Sequence, residues 1–300
     1  MTFAPIVVFA FNRLYSLKKC IDSLLANEES KLSDLYVFVD GARIDKLGEC
    51  DKVKSVQQYV QEIKGFKSLT YEFSDTNKGL GDSIISGVLK VINEYGCAIV
   101  LEDDLMVSMS FLRFMNDGLQ KYQNDKSVYS ICGYSNKMKV PLNYMPNTYF
   151  CTRSSSWGWA TWKDRWATIN WELPDWNNVE RNRRKFNKWG GSDLYNMLKG
   201  WHTGKNNSWA IRFVYSQFMN DAISLFPTRS LVDNNGFDGT GTNCKKYSRF
   251  KCNYDRKSDI VFMYPDSIEL NAKLFRKQMR YNSIPIRIWS RIMYLLYDMK

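Results

Sequence analysis

The chain is poor in the residues that build zinc sites and disulfide frameworks. Its 300 residues include a single histidine, His202, and seven cysteines, none of which forms a CxxC pair. Structural zinc sites need four closely placed Cys and His ligands, so such a site is not expected. An odd number of scattered cysteines is typical of reduced thiols in a cytosolic protein.

Long apolar runs and a nucleotide fingerprint are also missing. No stretch approaches the roughly 20 apolar residues that cross a bilayer, and the first residues enter a strand-like segment without the charged leader of a signal peptide. Asn12 and Arg13, rather than a GxGxxG motif, follow that segment, which disfavours dinucleotide binding of the Rossmann type. We therefore expect a cytoplasmic protein without that dinucleotide site.

Positive charge, in contrast, is in surplus. The net charge is +11, and residues 245–300 contain 13 Lys and Arg against 5 Asp and Glu. Residues 285–300 predict a helix that is apolar except for a narrow stripe of Arg287, Ser290, Arg291 and Tyr294. Such a basic amphipathic helix fits a membrane interface. Docking on the rest of the chain or on a second subunit is the alternative, and no nucleic acid is expected.

The first half of the sequence alternates apolar strands with segments of helical spacing. Strands are predicted at residues 5–11, 35–39, 69–73 and 97–101, and Asn12 is predicted to cap the first helix. Alternation of this kind predicts an α/β fold, with a mostly parallel sheet flanked by helices.

Polar side chains follow each predicted strand. They are Asn12 and Arg13, then Asp40, then the turn 75–78 ending in Lys78, and then Glu102, Asp103 and Asp104. The carboxyl ends of parallel strands meet in one crevice, which is where open α/β sheets bind ligands. Three adjacent carboxylates form either a solvated turn or a site for a hard cation such as Mg²⁺ or Mn²⁺ that also binds phosphates.

Aromatic residues are concentrated beyond the sheet motifs. Four tryptophans lie between residues 157 and 166, and their spacing predicts a helix with Trp159, Trp162 and Trp166 on one face. Trp157 precedes Gly158 and is a candidate platform under a sugar ring. The Gly-rich segment 236–242 is interpreted as a flexible turn or as a lid over a bound nucleotide.

The order of these motifs resembles that of GT-A glycosyltransferases, specifically the N-acetylglucosaminyltransferase I type and related bacterial sugar transferases. The resemblance covers about residues 1–240 and depends on Asn12-Arg13, Phe38–Gly41, Asn77–Gly79 and Val100–Leu105. It implies a GT-A (Rossmann-like) mixed sheet, a UDP-sugar donor and Mn²⁺ or Mg²⁺.

The resemblance also implies roles for individual residues. Asp104 would bind the metal, Glu102 and Asp103 would order the ribose and metal waters, and Asp40 would face the uracil. Asn12, Arg13 and Lys78 would lie near the nucleotide. Trp157, Trp159, Ser208 and Trp209 would contact the acceptor.

One position departs from the family. The family's catalytic Asp precedes a Trp at the start of an acceptor-side helix, whereas Asn207 and Ser208 precede Trp209 here. Neither can serve as a general base at neutral pH. Asp164, Asp193 and Asp238 are the alternative candidates, and retention of configuration would remove the need for this base.

The sequence is therefore interpreted as a catalytic domain, residues 1–244, followed by a basic extension with an amphipathic helix, residues 245–300. The nucleotide-sugar half is assigned to 1–132 and the acceptor half to 133–244. The expected activity is metal-dependent, inverting sugar transfer to a glycan or lipid-linked glycan, in the cytoplasm or on the inner face of the membrane, with homo-oligomers as an option. The alternatives are a nucleotidyltransferase and a non-enzymatic glycan- or nucleic-acid-binding module.

Overall fold

The computed structural model of the protein describes residues 3–238, 249–250, 252, 254–255 and 259–298. The strands within these ranges are β1 Ile6–Ala10, β2 Asp34–Val39, β3 Ser68–Phe73, β4 Cys97–Glu102, β5 Leu105–Val107, β6 Val128–Cys132, β7 Thr148–Cys151, β8 Trp159–Trp162, β9 Ile223–Pro227 and β10 Val232–Asn234. The α-helices within the same ranges are α1 Leu14–Leu25, α2 Glu49–Glu62, α3 Leu80–Tyr95, α4 Phe111–Lys121, α5 Lys163–Trp166, α6 Trp176–Gly190, α7 Leu194–His202, α8 Trp209–Met219, α9 Ala272–Tyr281 and α10 Ile284–Asp298.

Eight of the described strands form one mixed sheet in the order β3-β2-β1-β4-β8-β6-β9-β7. Strands β3, β2, β1 and β4 are parallel to one another, and β6 is parallel to β9. Strands β8 and β7 run antiparallel to their neighbours. The predicted α/β architecture, with a mixed, mostly parallel sheet between helices, is confirmed.

Strand β1 shows why the sheet is covered on both faces. Its side chains alternate between two apolar clusters, because successive residues of a strand point to opposite faces. Ile6 and Val8 pack with residues of α1, α2 and α4, whereas Val7 and Phe9 pack with residues of α3 and α8. A strand buried on both faces reads as a continuous apolar run, which is why this one was predictable.

The tryptophan segment is a strand rather than the predicted helix. Residues Trp159–Trp162 form β8, which lies between β4 and β6 near the middle of the sheet, and only Lys163–Trp166 are helical. Trp159 and Trp162 are both buried. The helical spacing was misleading because a central strand, buried on both faces, also carries large apolar residues without strict alternation.

One helix boundary differs from expectation. Asn12 does not cap α1, because Arg13 occupies the N-cap position and the Asn12 side chain donates to Glu49 Oε1 at 3.0 Å. The segment after the acids is the short strand β5, paired antiparallel with β10, so that α4 begins at Phe111.

The described part of residues 245–300 packs onto the sheet. Leu274 of α9 is fully buried beside Tyr149 of β7 and Phe226 of β9. Asn147 bonds through its side chain to the backbone of Val261 and Met263. None of the helices in the described ranges is both long enough and apolar enough to cross a membrane.

Candidate active site at the carboxyl edge of the sheet

The parallel strands bring the predicted polar residues to one edge. Phe9 of β1 pairs with Glu102 at the end of β4, and the Asp103 amide donates to the Phe9 carbonyl at 3.0 Å. On the other side of β1, the Asp40 amide donates to the Ala10 carbonyl at 3.0 Å. The backbone ladder thus places Arg13, Asp40 and the acidic triplet around the carboxyl end of a single strand.

Arg13 bridges two of the three acids. Its Nη2 pairs with Asp103 Oδ1, and its Nη1 lies 3.1 Å from Asp104 Oδ2. Asp103 is further held by the Phe11 amide, 3.3 Å from its Oδ2. Both Asp103 oxygens are therefore occupied, whereas Asp104 Oδ1 accepts no hydrogen bond within the described ranges. The orientation of Asp103 is fixed by the protein, whereas only one of the two Asp104 oxygens has a partner among the described side chains.

Among the described residues, the charges at this edge do not balance. Three carboxyl groups face one guanidinium, and the side chains of Asp103 and Asp104 are almost fully buried. Burial is the main cause that raises the pKa of Glu102 to about 8, with repulsion from Asp104 and Asp103 adding to it. Burial likewise raises the pKa of Asp103 to about 6, although Arg13 opposes the rise. A site of this kind favours the arrival of another cation.

A small two-stranded sheet packs against Asp104. Strand β10 pairs with β5, and the Asn235 amide donates to the Asp104 carbonyl at 2.9 Å. A Cβ built on Gly236 would lie 2.5 Å from Asp104 Oδ2 and 2.9 Å from Asn234 Oδ1. Any larger residue at this position would therefore displace the Asp104 carboxylate or its neighbours. The Asn235 Nδ2 group is buried and finds no hydrogen-bond partner in the described part of the chain.

Asp40 organises the neighbouring loop. Its carboxylate accepts hydrogen bonds from the amides of Gly41, Lys78 and Gly79 at 2.8–3.0 Å and from Asn77 Nδ2 at 3.1 Å. Lys78 is exposed and lines an adjacent cleft of about 550 Å³, together with Asp40. The structure thus brings Asp40 and Lys78 together, as expected, but it commits both Asp40 oxygens to the loop.

Asn12 belongs to a separate polar cluster beside the site. Its partner Glu49 also accepts hydrogen bonds from the backbone and side chain of Arg43. The Arg43 guanidinium is the largest influence on Glu49 and lowers the pKa of this carboxyl to about 2. This ion pair anchors the loop after β2 to the start of α2, and Asn12 ties it to the loop after β1.

The donor set at the acidic edge fits a metal ion only if the substrate supplies further ligands. Among the described residues, no three His, Cys, Asp or Glu side chains are grouped so as to hold a metal ion. Asp104 offers one carboxylate oxygen, which is a hard donor suited to Mg²⁺ or Mn²⁺. Mg²⁺ is typically bound through one or two carboxylates plus substrate phosphates. Asp104 meets that description, and an all-protein cage is absent from these residues.

A second cavity, of about 300 Å³, lies on the β6–β8–β9 side of the sheet. Trp157 lines it and packs edge-on against Tyr134 and Phe250, at ring distances of 4.5 and 5.8 Å. Gly158 packs against Val232 of β10, which connects the wall of the cavity with the β5–β10 pair beside Asp104. The two sites are therefore neighbours at the same edge.

The other predicted acceptor residues have mainly structural contacts. Trp159 and Trp209 also line the cavity, but both are buried and stack on each other at 4.9 Å. Ser208 is the N-cap of α8, where its Oγ accepts from the Ile211 amide at 3.4 Å. Trp157 is the one predicted acceptor residue whose ring is only partly buried.

The three candidate bases lie in different places. Asp164 follows β8 at the end that pairs with Cys97, which is the sheet edge opposite Glu102, and it pairs with Arg165 at 2.8 Å. Asp193 is buried, and both of its oxygens accept from Arg153 Nη1 at 3.0 Å. Arg153 lines the cavity. The Asp238 side chain and residues 239–242 of the Gly-rich segment lie outside the described part. Asp164 is thus too remote to act at the acidic edge.

Several residues of the site escaped sequence reasoning. Asn234, Asn235 and Gly236 reach Asp104 only through the β5–β10 pairing, and Arg153, just after β7, reaches Asp193, just before α7, only through a contact between distant segments. Glu49 opens α2 and reads as an ordinary first-turn acid. The one local signal was Gly236 itself, at the start of the Gly-rich segment.

No protein-family model and no curated protein matches the chain. Among solved structures it is similar to Staphylococcus aureus TarS 1-349, at 12% identity and TM-score 0.42, over 77% of this chain and 60% of that one. A complex of that protein with UDP-GlcNAc matches at 14% identity and TM-score 0.36, over 56% of this chain and 46% of that one. Mannosyltransferase PcManGT from Pyrobaculum calidifontis, in complex with GDP-Man and Mn²⁺, matches at 11% identity and TM-score 0.36. This match covers 54% of this chain and 46% of that one.

The chain thus spans 60% or less of the length of these matched structures. Because the TM-scores are below 0.5, these similarities assign neither an activity nor a ligand.

Proposed function

We propose that the protein is a metal-dependent glycosyltransferase of the GT-A type that uses a nucleotide-sugar donor. The observation that carries the proposal is the charge imbalance at the acidic edge, where, among the described residues, three carboxyl groups face one arginine and Asp104 Oδ1 has no hydrogen-bond partner. A divalent cation shared with a diphosphate supplies the missing positive charge and the missing ligands together.

The residues at the edge have separable tasks in this proposal. Asp104 holds Mn²⁺ or Mg²⁺, which when bound would stabilise the charge that develops on the leaving diphosphate. Asp103 is oriented by Arg13 and the Phe11 amide to accept hydrogen bonds from the ribose or from metal-bound waters. Asp40 holds the loop of Lys78 in place, so that the lysine can approach the nucleotide.

On the acceptor side, Trp157 offers an aromatic face to a sugar in the 300 Å³ cavity. In an inverting transfer, the acceptor hydroxyl oxygen attacks the anomeric carbon, the bond from that carbon to the diphosphate oxygen breaks, and a base takes the hydroxyl proton. Of the two candidate bases with described side chains, Asp193 contacts a cavity residue and Asp164 does not. We therefore retain Asp193, with UDP-sugar as donor and a glycan or lipid-linked glycan as acceptor.

The test is release of nucleoside diphosphate from UDP-, GDP-, CMP- and dTDP-sugars, with and without Mn²⁺, where CMP-sugars would yield the monophosphate. We expect slow, metal-dependent release of UDP even without an acceptor, because water can replace the sugar hydroxyl. Asp104→Asn should lose this release. The matched control is Asp45→Asn, which removes a carboxylate from an exposed ion pair with Lys46 and should leave the release unchanged.

Two further measurements test the rival functions. Release of pyrophosphate from a nucleoside triphosphate, with no reaction of nucleotide sugars, would indicate a nucleotidyltransferase. Salt-dependent binding of glycan or nucleic acid that ignores both metal and nucleotide sugar would indicate a binding module.

A further inference from the structure

Helix α10 presents apolar side chains to solvent. The exposed fractions of its large apolar residues are Ile284 58%, Ile288 54%, Trp289 54%, Ile292 50%, Leu295 65% and Leu296 52%. At 100° per residue, these positions fall within an arc of about 140° on one side of the helix. They form a continuous stripe, here called the outer face of α10.

The polar side of the same helix is turned toward the protein. Ser290 is buried, and Arg287 Nη1 donates to Ser192 Oγ at 3.3 Å. Ser192 Oγ in turn donates to the carbonyl of Asn282 at 3.0 Å. A surface helix ordinarily packs its apolar stripe on the core and exposes its polar stripe. The reversed orientation of α10 indicates that the outer face is covered by an apolar partner.

The charge around this face favours one partner. Residues 272–300 contain seven Lys and Arg and a single acid, Asp298 at the end of α10. Among them Arg291 is exposed and, by helical position, borders the outer face. A purely apolar partner would not need this charge, whereas an anionic bilayer accepts both aliphatic side chains and arginines, with Trp at the interface.

We propose that α10 docks the protein onto an anionic membrane surface, with the outer face inserted into the headgroup region. The helix lies in the membrane plane and does not span it, in keeping with its length. The depth needed to bury Ile and Leu side chains at the interface brings Arg291 to the level of the lipid phosphates.

This docking places the acceptor cavity at the membrane. Gln278 of α9 and Asn282 line the 300 Å³ cavity, and only Ser283 separates Asn282 from α10. A sugar carried on a membrane-embedded lipid would reach the cavity from the surface to which α10 is bound. This last step, the lipid-linked class of acceptor, rests on the proposed function, whereas membrane docking does not.

The test is sedimentation of the full chain with vesicles of phosphatidylcholine alone or mixed with phosphatidylglycerol, without nucleotide or metal. The variant is Ile288→Asp with Ile292→Asp, and the matched control is Leu142→Asp with Met145→Asp, two exposed apolar residues in another part of the chain. Circular dichroism checks that both double variants remain folded. We expect this because the four substituted side chains are exposed. Light scattering reports the oligomeric state.

We expect the wild type to bind the mixed vesicles. Binding should fall about tenfold or more in the α10 variant, because two aliphatic side chains that would be buried in the membrane are lost. Binding should be unchanged in the control. Equal binding to neutral vesicles, no binding, or an unaffected α10 variant would overturn the proposal. A dimer that only the α10 variant dissociates would also overturn it, because a second copy would then cover the face. Release of UDP in solution can fail or succeed independently of these results.

Discussion

Gly236 is the residue that most directly limits the space around Asp104. Because a Cβ on Gly236 would lie 2.5 Å from Asp104 Oδ2, any larger residue must displace either the Asp104 carboxylate or the segment that follows β10. Positions that support a metal ligand without binding the metal themselves change affinity by about 10–100-fold when altered. The carboxylate oxygen of Asp104 is thus expected to depend on a residue that carries no functional group.

We predict that Gly236→Ala weakens Mn²⁺-dependent binding of the donor by about tenfold or more. Isothermal titration with UDP-sugar and Mn²⁺ measures this change. Gly204→Ala is the control, because its Cβ meets nothing within 4 Å although its φ of +70° adds strain. Equal affinity in the wild type and Gly236→Ala would contradict the prediction that Gly236 sets the position of the Asp104 carboxylate.

Glu49 makes stability depend on pH. The Arg43 ion pair lowers its pKa from 4.5 to about 2 in the folded protein. The stabilisation is therefore fully present above about pH 4.5 and is lost as the pH falls toward 2. We predict that Glu49→Gln lowers the urea midpoint at pH 6, and that the difference from the wild type shrinks as the pH approaches 2–3. Asp45→Asn should show no such difference, and a gap that widens on acidification would contradict the prediction.

At the scale of elements, the start of β8 divides two tryptophans that the sequence analysis had both assigned to acceptor binding. Trp159 lies between Trp166 and Trp209, at ring distances of 5.8 and 4.9 Å, and is a core residue. Trp157 lies before the strand, where its partly buried ring borders the cavity. The same short segment thus holds a packing tryptophan and a candidate sugar platform.

Substitution should separate these two roles. We predict that Trp159→Ala lowers the free energy of unfolding by about 3–5 kcal/mol, the usual loss for a large buried aromatic. Trp157→Ala should be milder in stability and should raise the acceptor KM. Denaturant unfolding and acceptor kinetics measure the two effects. A larger loss of stability for Trp157→Ala than for Trp159→Ala would reverse the assignment.

The predictability of each element followed from where its contacts lie. The first four strands and the acids after β4 were predicted, because apolar runs and the polar residues that follow them are local in sequence. The helix predicted for the tryptophan segment was wrong, because β8 is placed between β4 and β6 by antiparallel pairing with segments distant in sequence. Helix α9 was not predicted as an element, although its apolar Leu274 packs on β7.

The candidate site divides in the same way. Arg13, Asp40, Asp103 and Asp104 come together because parallel strands deliver their carboxyl ends to one edge. The contribution of β10 and of Arg153 depends on pairings between distant segments, which no local pattern reveals. Asp164 was a reasonable candidate from sequence, but the direction of β8 carries it to the opposite edge.

At the scale of the whole molecule, the sheet holds the proposed donor site and the proposed acceptor cavity side by side, and α10 presents an apolar stripe next to the cavity. The proposed donor site has too few protein ligands to hold a metal ion alone, since no group of three suitable side chains occurs in the described ranges. Metal and nucleotide should therefore bind together. Mn²⁺ alone should have little effect on the protein, and the nucleotide sugar alone should also have little effect.

The measurement that tests this account most directly is thermal unfolding with Mn²⁺, with each nucleotide sugar, and with both together, for the wild type, Asp104→Ala and the control Asp45→Ala. A ligand that binds only the folded state adds about 2.7 kcal/mol at a hundredfold excess over its Kd. We predict stabilisation by a UDP-sugar only when Mn²⁺ is present, retained in Asp45→Ala and abolished in Asp104→Ala. No stabilisation by any nucleotide sugar, or stabilisation that survives Asp104→Ala, would contradict the assignment of the acidic edge as a donor site.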